Sequence, residues 1–426
     1  MAKRALVHGP PKGHVRGVTA PSPNAPAKTS APSPLLLGCF SALGPFAIDL
    51  YLPAFPAITA DLQASAGQVQ LSLVVFFASL AAGQLFYGPL SDAIGRKPPL
   101  IGGMVLFFLA SLGCAFAPNI ATLIGLRIVQ GLGACSGSIM ARAIVRDHHS
   151  GPAAARTLSQ MMLVFGVSPL FAPMAGSLLM GLGGWRAIFI AVAGLVVVAL
   201  CITIFTLRES LAPPRRTRLS MGGMMGTYRE LLRDRRLVGL TLTTSAWSGS
   251  TFTFLATSSF VYAHQFHFTP FAYGLMFSFC ASGMIIASQF NARLMRTLGA
   301  RRQLALVSTV AVASASLMAG LAIAGFGSAL MIMAGTFVLF ACQGLSLTPA
   351  SVTALDSHPR TAGAAAALMG ATQLAFGALI SGLISALCAP TLQTLVLTQL
   401  GCMAVAAISV RLAFKSGRAR HRETVV

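Results

Sequence analysis

The chain has 426 residues, of which 55% are hydrophobic and only 9% are charged. A soluble globular protein carries about 25% charged residues, so this composition excludes an ordinary soluble domain. The net charge of +21 would suit a nucleic-acid-binding protein, but the basic residues recur in short clusters between apolar segments, which is typical of membrane topology. Many apolar segments reach the roughly 20 residues that a helix needs to cross a bilayer, and their continuous apolarity favours helices over a β-barrel.

Residues 1–34 are rich in Pro, Ala and basic residues and have no continuous apolar core, which predicts a disordered cytoplasmic tail rather than a signal peptide. Twelve membrane-spanning helices are predicted after this tail, at about 35–58, 69–91, 98–117, 119–141, 157–181, 185–207, 237–262, 271–292, 303–325, 327–350, 361–387 and 390–414. The polar stretch 208–236 is predicted to be a cytoplasmic loop between two six-helix halves, 35–207 and 237–414, and a second cytoplasmic tail is predicted at 415–426. The expected fold is an all-α membrane protein with two pseudo-symmetric halves.

The distribution of Lys and Arg predicts the orientation, because cytoplasmic loops of membrane proteins carry an excess of these residues. With both termini in the cytoplasm, all but two of the 30 Lys and Arg residues fall in cytoplasmic segments. The two exceptions are Arg186, at an outer helix edge, and Arg127, inside the fourth predicted helix. We therefore expect a multi-pass protein of a bacterial-type cytoplasmic (inner) membrane with both termini in the cytoplasm.

Short sequence matches relate the two halves as internal repeats. The matches lie at corresponding topological positions and are separated by similar offsets of 209, 213 and 204 residues. They pair Arg146–His149 with Leu355–His358, Gln130–Leu132 with Gln343–Leu345, and Gly95–Pro98 with Gly299–Arg302. Internal repeats around a substrate site near the bilayer midplane are a common plan of membrane transporters.

Asp49, near the middle of the first predicted helix, is the only carboxylate that the bilayer has to accommodate, since the other acidic residues lie in loops or tails. A charged side chain at that depth costs at least roughly 2.5–3.5 kcal/mol, and low dielectric favours the neutral form of a carboxyl group. Reversible protonation of Asp49 would couple transport to protons; the alternative is a structural contact with a polar neighbour. Pro53 cannot donate to the carbonyl of Asp49, which predicts a kink or opening of the helix.

Arg127 is the only basic residue well inside a predicted span. Counting residues from the helix ends at about 1.5 Å per residue places it at nearly the same depth as Asp49. The two side chains could interact directly or through a shared cavity, and the alternative is a purely structural bridge.

The segment Gly88–Pro98, GPLSDAIGRKP, resembles the inner-loop motif of the major facilitator superfamily. In that family the acidic residue of the motif faces a helix N-terminus and its basic residues gate the inner helix ends. The resemblance implies a twelve-helix transporter in which the inner gate is formed by Asp92, Gly95, Arg96 and Lys97.

Two further segments resemble motifs of the same superfamily. Residues 126–133, LRIVQGLG, are similar to its motif in the fourth helix, and residues 166–176, GVSPLFAPMAG, are similar to the Gly/Pro motif associated with antiporters. The Gly/Pro motif implies functional positions at Gly166, Pro169, Pro173 and Gly176. Ordinary helix packing is the alternative for this segment, because Gly and Pro are frequent in membrane helices.

Within the superfamily, the chain most resembles the Bcr/CflA-type drug-resistance exporters. The similar segments are residues 48–56, IDLYLPAFP, and residues 83–92, GQLFYGPLSD. This resemblance implies a proton-coupling role for Asp49 and a substrate or coupling role for Arg127, to which we add its motif neighbour Gln130. Trp247 is a candidate cavity-lining residue; an aromatic residue is equally suited to face lipid or an interface.

The sequence argues against other classes of function. No Gly-Lys pair exists, so the chain has no phosphate-binding loop of an ATP-driven pump, and one carboxylate with one arginine is a poor catalytic constellation. A receptor or scaffold would not explain two costly buried charges. We predict no enzyme activity, no cofactor, no metal site and no nucleic-acid partner.

The predicted function is that of a proton-coupled antiporter. We expect it to export small, largely apolar drugs or metabolites by alternating access, with small-molecule substrate, protons and membrane lipid as partners and a monomeric state. A proton-coupled importer or facilitator of a small nutrient on the same fold is the alternative.

Overall fold

The structure is a computed structural model that describes residues 32–149, 151–216, 221–358 and 361–415, and the regular elements in these ranges are helical. Helices are the expected outcome for long apolar segments, since a helix satisfies its own backbone hydrogen bonds where no water can do so.

Twelve long helices follow the predicted spans in order within the described residues. They are α1 (Pro34–Asp49, continued by Phe55–Asp61), α2 (Ala66–Ile94), α3 (Lys97–Ala115), α4 (Ile120–His148), α5 and α6 (the two parts of Gly151–Thr206), α7 (Arg235–Phe260), α8 (Pro270–Ser288), α9 (the second part of Asn291–Ile323), α10 (Ala329–Asp356), α11 (Ala362–Leu387) and α12 (Leu392–Lys415). Non-helical backbone at Gly183 and Gly184 separates α5 from α6, and Gly299, with φ of 72°, precedes α9. A short helix, Met221–Leu231, lies between α6 and α7.

Ten described helical segments are long and apolar enough to cross a membrane, and one of them contains both α5 and α6. α7 is absent from that set because it is rich in Ser and Thr. Several of its hydroxyl groups are accommodated within the helix; Thr243 and Thr253, for example, donate to the carbonyls of Gly239 and Gly249. The chain is thus an integral, multi-pass membrane protein.

Several helices begin at polar residues that cap their free backbone N–H groups. The side chains of Ser65, Asn119, Thr269 and Ser328 accept hydrogen bonds at the starts of α2, α4, α8 and α10. Such caps fix where each helix emerges from its connecting loop.

The two halves repeat the same packing arrangement. In the first half α1 packs on α5, α2 on α4, and α3 on α4 and α6; in the second half α7 packs on α11, α8 on α10, and α9 on α10 and α12. Between the halves, α2 packs on α11 and α5 packs on α8. The repeats seen in the sequence therefore correspond to two similarly built six-helix halves.

The bundle has two ends, and the halves are hydrogen-bonded near only one of them among the contacts described here. We call the end where α1 begins and α12 ends the terminal face, and the opposite end the distal face. Near the distal face, Gln70 Nε2 donates to the carbonyl of Ala256 at 3.0 Å and Ser177 Oγ donates to that of Pro270 at 2.8 Å. Midway along the bundle, Ser278 Oγ donates to the carbonyl of Leu170 at 2.6 Å. The distal face is closed in this conformation.

Candidate functional site

The first helix is interrupted at Asp49. α1 stops there, a 3₁₀ turn spans Leu52–Ala54, and the helix resumes at Phe55. Pro53 causes the break because it lacks the N–H that would donate to the carbonyl of Asp49. The interruption that the sequence predicts is therefore present, and it places Asp49 at a helix end.

Asp49 is buried against α5, with 6% of the residue exposed. Its Oδ2 accepts a hydrogen bond of 3.3 Å from the hydroxyl of Ser168. Within the described part of the chain, no basic side chain lies at salt-bridge distance from this carboxylate. A single hydroxyl compensates little of the cost of burying a charge, so the neutral form is favoured until water or another donor reaches the group. The arrangement is suited to reversible uptake of a proton.

Arg127 is fully buried in α4, and aromatic rings surround its guanidinium group. The guanidinium carbon lies 4.6 Å from the ring centre of Tyr51, 4.2 Å from that of Phe76 and 5.9 Å from that of Phe189. Contacts of this kind stabilise a cation by about 2 kcal/mol or more when water is excluded. The rings therefore replace part of the hydration that Arg127 loses.

Gln130 fixes one edge of the guanidinium group. Arg127 Nη1 donates to Gln130 Oε1 at 2.6 Å, and Gln130 Nε2 donates to the hydroxyl of Ser111 on α3 at 2.8 Å. The Nε and Nη2 atoms of Arg127 have no hydrogen-bond partner in the structure. Arg127 thus has two unused donors in a water-poor environment, where an unpaired donor is costly.

Asp49 and Arg127 do not form an ion pair in this conformation. Each has its own partners, Ser168 for the carboxylate and Gln130 for the guanidinium group. Tyr51 lies within the break, two residues after Asp49 along the chain, and carries the ring that contacts Arg127. Equal depth did not lead to direct contact, because depth alone leaves the direction of each side chain around its helix undetermined.

Trp247 lies inside the second half, and 1% of the residue is exposed, which excludes the lipid-facing alternative. Its indole Nε1 has no hydrogen-bond partner. One turn later, Thr251 Oγ1 donates to Gln343 Oε1 at 2.8 Å, which joins α7 to α10 at the repeat counterpart of Gln130. The structure does not bring Trp247 into contact with Asp49 or Arg127.

The Gly/Pro motif of α5 lies beside the break in α1. A Cβ atom at Gly176 would collide with the carbonyl oxygen of Leu50, so glycine is required for this close approach. Pro173 contributes its carbonyl oxygen, which accepts a hydrogen bond of 2.7 Å from Ser177, and Pro169 lies within the same helix. At Gly166 a Cβ would meet only Ile285, at 4.0 Å, so packing does not require glycine there.

Sequence reasoning missed Ser168, the hydrogen-bond donor to Asp49. It is a fully buried polar residue within the Gly/Pro motif, next to Pro169. A polar side chain among the small and apolar residues of that motif is the signal that could have identified it.

The predicted inner gate lies at the terminal face and centres on Arg96. Its Nε donates to Asp147 Oδ2 at 2.9 Å, and its Nη1 donates to Asp92 Oδ1 at 2.5 Å and to Ser91 Oγ at 2.8 Å. Lys97 Nζ donates to the carbonyl of Ile204. Arg96 is 6% exposed and the Asp147 side chain is 13% exposed, so the pair that they form is the buried part of this network.

Among the described residues, the partner of Asp92 is not the helix N-terminus that the family motif implies. Its ion pair is with Arg96, within the same half, and among the described residues no hydrogen bond links it to the start of α11. The reason is geometric, since Asp92 and Arg96 are four residues apart and the Gly95 turn, with φ of 103°, brings Arg96 back to it. Residues 359 and 360, which precede α11, lie outside the described ranges.

Glu209 completes the gate and was not identified from the sequence. It follows α6, and its carboxylate accepts hydrogen bonds from the backbone N–H groups of Arg96 at 2.8 Å, Lys97 at 3.1 Å and Leu211 at 3.0 Å. The N–H groups of Arg96 and Lys97 lie at the start of α3, where unpaired N–H groups favour a negative charge. No feature of the sequence predicts this contact, because Glu209 lies in a polar loop more than 100 residues from Arg96.

Comparisons with known proteins agree with this architecture. A sequence profile described as the Major Facilitator Superfamily matches residues 36–386. The chain is 36% identical over 354 residues, 82% of this chain and 87% of the relative, to the uncharacterized MFS-type transporter YdgK of Bacillus subtilis. It is 28% identical over 375 residues, 88% of this chain and 94% of the relative, to the bicyclomycin resistance protein homolog of Haemophilus influenzae. It is 30% identical over 334 residues, 78% of this chain and 83% of the relative, to the multidrug resistance protein MdtL of Vibrio parahaemolyticus.

Solved structures show the same fold at low sequence identity. A D-xylose-proton symporter aligns with a TM-score of 0.71 and 12% identity, over 90% of this chain and 96% of its own. A variant of the nucleoside transporter NupG aligns with the same TM-score and identity, over 89% of this chain and 99% of its own.

Proposed function

Since the chain belongs to the Major Facilitator Superfamily, we propose that it is a proton-coupled antiporter that exports small, largely apolar drugs or metabolites. Relatives named for bicyclomycin and multidrug resistance support the export of drugs. The observation that carries the coupling is Asp49, a buried carboxylate with one weak hydroxyl partner at a break in a membrane helix. The proposed carriers of function are Asp49 for protons, Arg127 with Gln130 and Trp247 for coupling or substrate, and the Arg96 network for gating.

The proposed cycle follows from the closed distal face. With both termini in the cytoplasm of a bacterial-type inner membrane, a protein closed at that face is ready to receive substrate from the cytoplasm or the inner leaflet. Substrate binds while Asp49 is ionised, the halves rock, and protonation of Asp49 from outside accompanies substrate release. Return of the proton to the cytoplasm resets the carrier, which works as a monomer with substrate, protons and lipid as its partners.

Arg127 has a proposed part in this cycle because its bonding is incomplete. Two of its donors are unpaired, and its ring partner Tyr51 lies next to the break in α1. A movement of the segment after Asp49 would shift Tyr51 and open the guanidinium group to the carboxylate or to substrate. The planar group would then bind a carboxylate or polar substrate oxygen through two parallel hydrogen bonds.

The decisive variant is Asp49→Asn, which keeps the size of the side chain and removes its ability to ionise. We expect the variant to fold and insert, and to lose proton-driven transport in inverted vesicles. The assay adds candidate drugs to vesicles with an imposed proton gradient and follows internal pH and drug accumulation. The direction of drug movement separates an exporter from an importer.

Asp61→Asn is the matched control. Asp61 lies at the distal end of α1, where hydrogen bonds from Arg186 and Trp185 hold the pKa of this carboxyl below its usual range, so it stays ionised and does not carry protons at neutral pH. Transport should survive this change. If Asp49→Asn vesicles change their internal pH on drug addition as the unmodified protein does, the assignment of Asp49 is wrong.

A further inference from the structure

The turn before α3 and the turn before α9 are repeats of each other. Gly95 and Gly299, separated by the repeat offset of 204 residues, both have positive φ, at 103° and 72°. In the first half, the carboxylate of Glu209 lies against the residues that follow this turn and binds the N–H groups of Arg96 and Lys97. The first turn thus has a negative group supplied by the chain itself.

The corresponding position in the second half is an open cavity of about 630 Å³ at the terminal face. Its lining includes Arg236, Arg301 and Arg302, and none of these three has an acidic partner at salt-bridge distance among the described residues. The guanidinium carbon of Arg236 lies 5.6 Å from the ring centre of Phe414, which also lines the cavity. We call this space the arginine cavity.

The charge of the arginine cavity is not balanced locally. Asp356 is the acidic residue in its lining, so three positive groups face one negative group. Position 296, the repeat counterpart of Asp92, is an arginine, so the second half lacks that acid as well. Residues 416–426, which follow α12 as Glu209 follows α6, lie outside the described ranges.

We infer that the arginine cavity binds a phosphate group, and that a membrane phospholipid with a net negative headgroup supplies it, because the lining has an excess of positive charge. Guanidinium groups bind phosphate oxygens through paired hydrogen bonds, and basic pockets between membrane helices at the cytoplasmic side suit phospholipid headgroups. Apolar side chains of Leu298, Val352 and Phe414 line the same cavity, where they can contact the glycerol and acyl portions of a lipid. A free phosphate ion would make no use of this apolar part.

The test uses the full chain, purified in detergent and stripped of bound lipid. Its thermal unfolding midpoint is measured against increasing phosphatidylglycerol, phosphatidylcholine or inorganic phosphate, and native mass spectrometry counts the lipids retained. We expect phosphatidylglycerol to raise the midpoint and phosphatidylcholine to have little effect. The double variant Arg301→Gln/Arg302→Gln should weaken the apparent affinity for phosphatidylglycerol at least about tenfold.

Two further variants make the test specific. Arg293→Gln/Arg296→Gln removes the same charge from the same segment, but neither residue lines the cavity, so it should leave lipid affinity unchanged. Asp356→Asn removes the negative group from the lining and should strengthen binding about fivefold. The site would be supported if the Arg301/Arg302 variant weakened the affinity for phosphatidylglycerol, the Asp356 variant strengthened it, and the control variant left it unchanged.

Other outcomes have defined meanings. The proposal would be overturned if both arginine double variants lost affinity for phosphatidylglycerol equally, or if phosphatidylcholine raised the unfolding midpoint as much as phosphatidylglycerol does. The arginines would then be determinants of membrane orientation only. Inorganic phosphate could instead raise the unfolding midpoint in a way that depends on Arg301 and Arg302, while phosphatidylglycerol has no effect. That result would support phosphate recognition and overturn the lipid as the source of the phosphate. If lipid protects only a Glu423→Gln variant, a carboxylate of the tail occupies the cavity and the lipid assignment is wrong.

Discussion

The terminal ends of the two halves contain the same repeated turn, but they balance its charge in different ways. In the first half, Arg96 is surrounded by Asp92, Asp147 and the carboxylate of Glu209 that binds its backbone. In the second half, the arginine cavity contains three arginines and one acid, with no ion pair of Arg301 or Arg302 among the described residues. The two halves share the backbone conformation of the turn but differ in the charged groups around it.

The difference indicates where each end obtains its stability. The first end is a network centred on a buried pair, Arg96 and Asp147, in which loss of Arg96 leaves Asp147 without its ion-pair partner. The second end is exposed and takes its negative charge from its surroundings, so single changes there should have small effects on folding. Matched substitutions at the two ends test this contrast directly.

The largest effect is expected from Arg96→Gln. The change leaves Asp92 and Asp147 without their shared partner, and breaking a buried network of this kind costs about 3 kcal/mol. The matched change Arg301→Gln should alter the free energy of unfolding by no more than about 0.5 kcal/mol. Denaturant unfolding in detergent measures both, and equal losses would show that the two ends do not differ as described.

Alanine at the two turn glycines separates backbone strain from network damage. At Gly95 a Cβ would lie 2.5 Å from Glu209 Oε2, whereas at Gly299 nothing lies within 4 Å. Both positions combine positive φ with extended ψ, a region that is essentially restricted to glycine, so each substitution costs about 1–3 kcal/mol in strain. We expect Gly95→Ala to cost about 2 kcal/mol or more, because strain adds to displacement of Glu209. Similar unfolding midpoints for the two variants would contradict the contact with Glu209.

Glu209→Gln should have an intermediate effect. The amide keeps the shape of the side chain but loses the charge that strengthens its hydrogen bonds to Arg96 and Lys97, so the expected cost is about 1.5 kcal/mol. The control is Glu230→Gln, at an exposed position of the short helix between α6 and α7. Hydrogen exchange at the first residues of α3 should increase in Glu209→Gln and not in Glu230→Gln. Unchanged exchange in Glu209→Gln would argue against capping by Glu209.

The smallest effect is expected from Asp92→Asn. The Asp92 side chain is 50% exposed, and Arg96 retains Asp147, so the loss should be about 0.5 kcal/mol with transport preserved. Spin labels at the terminal ends of α2 and α11 should report an unchanged distance. Widening in this variant would indicate that Asp92 contacts α11 in another state of the cycle, as the family motif implies.

The sequence predicted most of the fold and part of the site. The spans follow from apolar runs of membrane length, and the break at Asp49 follows from the missing N–H of Pro53. The repeats predicted two halves with matching packing, and that packing is observed. These features depend on local chemistry or on regular spacing, both of which are visible in one sequence.

Contacts between distant segments were not accessible in the same way. The rise of a helix gives the depth of Arg127 but not the direction of its side chain, so its partners Tyr51 and Phe76 could not be predicted. Glu209 had the appearance of a solvated loop residue, and only the folded chain brings it to α3. The burial of Trp247 could not be predicted either, because the polar residues around it in α7 do not indicate which side of the helix faces the protein interior.

The hydrogen bonds that join the two halves, near the distal face and midway along the bundle, have a consequence for the energy of the transport cycle. All three end on main-chain carbonyls, those of Ala256, Pro270 and Leu170, and all three have uncharged donors. Neutral hydrogen bonds contribute about 1 kcal/mol each, so breaking these three costs about 3 kcal/mol. One proton crossing a membrane potential of 100 mV releases about 2.3 kcal/mol. Under the proposed coupling, the passage of one or two protons therefore supplies as much free energy as these hydrogen bonds contribute, whereas breaking a single buried ion pair would cost about 3–5 kcal/mol.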